Sequence, residues 1–135
     1  MNPLAIEAAM KAALDASAFP TTTIYTGTSY EELTPESLNL IVAVTQVDHT
    51  AGDLYKAQVN VRVVSPALLG SSSLSEMVTA LNTLRTALTA SYMATNWPTE
   101  SGTPTFGGLW ITGTKSSQDN HAWVAEVDAL IGVSE

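Results

Sequence analysis

The chain has no cysteine among its 135 residues, which excludes structural disulfides, thiolate zinc sites and cysteine nucleophiles. It is also poor in bases: five Lys and Arg stand against thirteen Asp and Glu, for a formal net charge of −8. A groove that grips nucleic acid through its phosphates needs clustered cations, whereas Lys11, Lys56, Arg62, Arg85 and Lys115 are scattered along the chain. Tight DNA binding is therefore disfavoured. No apolar run approaches the roughly 18 residues of a membrane span, and Glu7 stands where a signal peptide wants bases. The protein is expected to be soluble and made in a cytoplasm. Charge of either sign is scarce, at 13% of residues, while Thr, Ser and Ala abound. Such neutral surface costs little to desolvate and suits assembly into a larger object.

Catalytic and metal-binding patterns are missing as well. Of the two histidines, His49 sits in Asp48-His49-Thr50-Ala51-Gly52-Asp53. That stretch lacks the alternating acids and closing Glu of a calcium loop, and a turn rich in Asp and Gly explains it without a metal. His121 begins a strand beside Trp123, where a structural role is expected. There is no Gly-x-Ser-x-Gly elbow, no Gly-x-x-x-x-Gly-Lys and no Gly-x-Gly-x-x-Gly. Gly107-Gly108 precedes a strand, so it presents no helix-start amides to an anion. No enzyme activity, cofactor or metal is expected.

What is present is a strong strand signal. Residues 38–64 read as a hairpin, with the reversal at Asp48 to Asp53. In its second half Tyr55, Ala57, Val59, Val61 and Val63 alternate with Lys56, Gln58, Asn60 and Arg62, the period-two mark of one dry and one wet face. In its first half Leu38, Leu40, Val42 and Val44 share one face and Ile41, Ala43 and Val47 the other, which predicts a strand partly covered on both sides.

Around this hairpin the sequence places cover. Asn2 and Pro3 read as a cap and first residue of a helix ending before Pro20, with Leu4, Ile6, Met10, Ala13 and Leu14 inward and Glu7, Lys11 and Asp15 elsewhere. Thr21 to Thr26 is a short β-branched edge strand. Residues 27–37 form a loop whose acids Glu31, Glu32 and Glu36 read first as a solvated face. Ser73-Leu74-Ser75-Glu76 is a capping box, followed by Leu74, Met77, Leu81, Leu84 and Leu88 at helical spacing. Residues 91–108 read as a long loop, and Tyr92, Met93, Trp97 and Phe106 within it need a partner surface. Either their own domain or a neighbouring subunit supplies it. A second hairpin, Leu109 to Lys115 and His121 to Val133, closes the chain. The fold class is α+β: a mixed, mainly antiparallel sheet of about five strands with two helices packed on one face, in a single domain.

This succession resembles the tail terminator proteins of long-tailed, siphovirus-like bacteriophages. The likeness spans nearly the whole chain, from the leading helix to the closing Trp123-Val124-Ala125-Glu126-Val127-Asp128-Ala129, and lies in the order and lengths of the elements. It implies a virion structural protein that forms a hexameric ring on top of the tail tube, stops tube polymerisation and meets the head–tail connector or stopper protein. The implied place is the tail or neck of a virion assembled in the host cytoplasm. Candidates for subunit or tube contact are then Tyr30, Tyr92, Met93, Trp97 and Phe106. Glu31, Glu32, Glu36, Asp48 and Asp53 are candidates for lining a channel that DNA passes without specific binding. Another neck component, such as a head-completion or stopper protein, is the nearest alternative, and a ligand-binding module the alternative outside that class.

Overall fold

The computed structural model describes residues 2–17, 23–27, 39–66, 71–119 and 122–135. Its elements follow in the order α1 (Pro3–Ser17), β1 (Thr23–Thr26), β2 (Asn39–Ala51), β3 (Leu54–Pro66), α2 (Ser71–Ala87), α3 (Ala90–Asn96), β4 (Thr105–Asp119) and β5 (Ala122–Ser134). The five strands form one sheet in the order β1-β2-β3-β5-β4. β1 runs parallel to β2, and the other neighbours are antiparallel. This is the α+β architecture the sequence predicts, with a third helix added.

One face of the sheet holds the core. Register sets Ala57 opposite Ile131, Val59 opposite Ala129 and Val61 opposite Val127, so the dry faces of β3 and β5 coincide. Leu40, Val42 and Leu109 extend this face, and Ile6, Met10, Leu14, Leu84 and Met93 from the helices, with Leu88 between α2 and α3, close over it. The intervening residues Gln58, Asn60, Arg62, Glu126, Asp128 and Leu130 fall on the opposite face. β2 is buried on both faces only over Asn39–Val42 and becomes exposed toward Ala51.

Helix α1 starts as its sequence dictates: the Asn2 side-chain oxygen accepts the Leu4 amide at 3.0 Å. Two of its residues depart from expectation. Leu4 is 58% exposed, while Glu7 is buried at 5%. At ~100° per residue Glu7 stands about 20° from Leu14 on the helix circumference, and Leu4 lies well off that face. Helix α2 begins at Ser71, two residues ahead of the cap expected at Ser73.

Loop boundaries shift for local reasons. The expected six-residue reversal at Asp48 to Asp53 shrinks to Gly52 and Asp53, since Ala51 pairs directly with Leu54. Gly52 has φ +55, a conformation that L side chains rarely adopt. Of the expected loop 91–108, residues up to Asn96 are helical and β4 begins at Thr105, leaving 97–104 as the connection.

Candidate functional site

The segment from Thr89 to Trp110 holds most of the side chains singled out for contact. Thr89 caps α3, its side chain accepting the Tyr92 amide at 3.2 Å, and the Trp97 amide closes the other end on Met93 O at 2.8 Å. A helix of less than two turns is marginal alone, so packing must hold it. Met93 supplies that packing and is fully buried. The Tyr92 hydroxyl donates to Ala13 O of α1 at 3.1 Å.

Trp97 folds inward. It is 6% exposed, and its indole N–H donates to Pro104 O at 2.7 Å, which ties the two ends of the 97–104 connection together. The half-buried Phe106 ring lies with its centroid 5.4 Å from that of Trp97, tilted by 41°. Within one chain, therefore, Met93 and Trp97 find their partner surface in their own domain, while Tyr92 and Phe106 keep part of their surface outside. Beside them Ala94, Pro98, Thr103 and Thr105 line an open cleft of about 240 Å³. Tyr30 lies outside the described residues.

Of the five acids expected to line a channel, Glu31, Glu32 and Glu36 also lie outside the described residues. Asp53 is exposed in the β2–β3 turn, and Asp48 is exposed on β2, in register with Lys56. Gln46 Nε2 donates to both Asp48 carboxylate oxygens at 2.9 Å. The Glu135 amide donates to Asp53 O at 3.2 Å, so the end of β5 sits beside the turn. With Glu135 exposed as well, this end of the sheet is acidic. His49 Nε2 is 2.6 Å from Gly52 O. A carbonyl only accepts, so that nitrogen carries the proton and is not a metal ligand here. The His49 ring also lies 5.1 Å from that of Tyr55. Among the described residues no three acids or histidines converge to hold a metal.

Two further features escape a reading for clusters. On the open face of the sheet Glu126 takes Arg62 Nε at 3.0 Å and Lys115 Nζ at 3.2 Å, and Asn60 donates to Asp128 at 2.9 Å. On the sheet edge, Trp110 is 57% exposed and Ile111 42% exposed. The Trp110 ring lies across two glycines: a Cβ placed on Gly108 would meet it at 3.2 Å, and one on Gly132 at 3.8 Å. The glycine pair followed by Leu109, Trp110 and Ile111 was the available signal, because strict alternation sends Trp110 to the face opposite Leu109. Among the described residues no helix is long and apolar enough to cross a membrane.

No family model matches the sequence, and no curated protein matches it. Solved structures do share its fold. A chain from the "virion of native gene transfer agent (GTA) particle" superposes with a TM-score of 0.63 at 16% identity, covering 96% of this chain and 95% of that one. A second solved structure superposes with a TM-score of 0.57 at 20% identity, covering 100% of this chain and 97% of that one.

Proposed function

We propose that this chain is a non-enzymatic virion protein that forms a ring, hexameric by family likeness, at the top of a phage tail tube. There it ends tube polymerisation and joins the tail to the head connector. The observation that carries the reading is the fold shared over nearly its whole length with a chain of a virion particle. The resemblance to tail terminators in the order of elements supports the finer placement. The open clefts and the absence of converging metal-binding side chains among the described residues are compatible with a structural role.

In this reading Tyr92 and Phe106 offer their exposed parts to a neighbouring subunit or the tube, with Met93 and Trp97 holding that surface from beneath. Tyr30 belongs to the same proposal. Asp48 and Asp53, with Glu31, Glu32 and Glu36, face the channel and repel the phosphates of passing DNA. Electron microscopy of the protein mixed with its tail-tube subunit tests the function. Rings seated on tube ends are expected, together with shorter tubes. Tubes of unchanged length and uncapped ends would overturn it. A ring map with Asp48 and Asp53 on the outer rim would remove the channel assignment alone.

A further inference from the structure

Strand β4 is an edge of the sheet, and its outward side faces no other strand among the described residues. An edge of this length offers a row of backbone donors and acceptors to any extended chain, and proteins usually blunt it with charge, proline or a covering segment. Within Thr105–Asp119 there is no proline, and the stretch up to Ser116 carries one charge, Lys115, already held by Glu126 at 3.2 Å. Trp110 and Ile111 flank the middle of the strand on opposite faces, both exposed.

The pairing with β5 is interrupted twice, between Phe106 and Gly108 and between Ile111 and Gly113. Bulges bend an edge and raise its twist, so they oppose indefinite flat stacking. They leave Gly108 to Ile111 as a short regular run that carries both exposed apolar side chains. A short, twisted, partly apolar edge suits a closed assembly better than a fibre.

Charge selects the occupant. The chain has a net charge of −8, and its exposed acids Asp15, Asp48, Asp53, Glu100, Asp128 and Glu135 all lie outside β4, with Asp128 in register with Gly113 and Glu135 next to Ser134, which pairs with Thr105. A nucleic acid finds no cation cluster on the edge, and a basic partner is drawn to the acids instead. A second acidic copy is repelled by most of this surface, but from Thr105 to Thr114 β4 itself carries no charged side chain to oppose it. We propose that the β4 edge, centred on Trp110 and Ile111, is the surface on which one copy of this chain docks on a second copy. The proposal rests on the ring reading above and names one side of the contact through which that ring closes, the facing side on the neighbour being a different surface, as cyclic closure requires.

Ile111→Lys and Thr112→Asp place a charge on the edge at exposed positions, and Val78→Lys places one at an exposed apolar position on α2. Each variant is mixed with tube subunit and imaged, and its thermal melt is compared with that of wild type. Expected are wild-type melts for all three, rings for wild type and Val78→Lys, and at least a tenfold loss of rings for both edge variants. Rings undiminished in both edge variants overturn the β4 contact while leaving the ring reading in place. Equal loss in Val78→Lys also overturns it, because any added charge then suffices. An edge variant that melts early is replaced by Thr114→Lys, read in the same way. No ring from wild type overturns the contact and the ring together.

Discussion

The Glu7 carboxylate accepts the Val44 amide at 3.2 Å, joining α1 to β2 across 37 positions of sequence. Its other oxygen accepts the Gly27 amide at 2.9 Å. Strand β1 stops at Thr26, opposite Val42, so Val44 lies just past the point where β1 supplies a partner. A side chain from the helix layer thus continues the ladder that the short edge strand leaves unfinished. Gly27 permits the approach, since a Cβ there would come within 3.2 Å of the Ala43 Cβ.

Removing that carboxylate strands two part-buried amides. Glu7→Ala is expected to lower stability by about 1–3 kcal/mol, the desolvation cost of donors left unpaired. Glu7→Gln, which keeps one acceptor oxygen, should lose less. Urea unfolding checks both, read as a shift in midpoint at unchanged slope. Equal losses in the two variants would mean that the charged carboxylate with both acceptors is what Glu7 supplies, whereas no loss in Glu7→Gln would mean that volume and a single acceptor suffice.

Glu7 also marks how far the sequence could be read. The alternation in 55–63 located β3 and its dry face, and the apolar spacing of Ile6, Met10 and Leu14 located α1. A lone acid on a helix reads as solvent-facing by default, and only the early end of β1 makes Glu7 an exception. Helix α3 was illegible because seven residues show too little periodicity, and Asn96, Pro98 and Gly102 around its end read as loop. Trp97 demanded a partner surface, but composition does not say whether that surface is internal. The edge position of β4 follows from β5 inserting between β3 and β4, a long-range pairing that local pattern does not encode.

Burial of Trp97 changes how assembly variants must be read. Trp97→Ala empties a buried aromatic site and breaks the link to Pro104, so a loss of about 3–5 kcal/mol is expected. Failure of this variant to join tubes would then report unfolding. Tyr92→Phe removes the bond to Ala13 O while keeping the ring, and should cost about 0.5–1.5 kcal/mol. Thermal or urea melts before any assembly assay separate the two cases.

The cluster on the open sheet face divides unequally. Lys115 has a side chain 72% exposed, so Lys115→Ala should change stability by less than about 1 kcal/mol. Glu126 is 17% exposed and faces the buried Arg62 Nε, which has no aligned hydrogen-bond acceptor. Its contribution there is charge rather than a linear bond. Glu126→Gln should cost about 1–3 kcal/mol, because Arg62 and Lys115 then lose their shared counter-charge. A double-mutant cycle with Arg62→Met checks this: the cost of Glu126→Gln should shrink once Arg62 is gone.

Alkaline titration should single out Tyr55. Burial raises its phenol above the ordinary 10.0, and the Glu135 charge, a hydrogen bond to Glu135 and the Asp53 charge push the same way. The folded state therefore holds the Tyr55 proton more tightly than the unfolded chain does. Its stabilising contribution is complete below the unfolded value of 10.0 and is lost as pH rises through the higher folded value. Phenolate absorbance should show a late-titrating tyrosine that disappears in Tyr55→Phe and moves back toward the ordinary value in Glu135→Gln. A Glu135→Gln titration identical to wild type would remove the Glu135 carboxylate from the account and leave burial and the Asp53 charge as the causes.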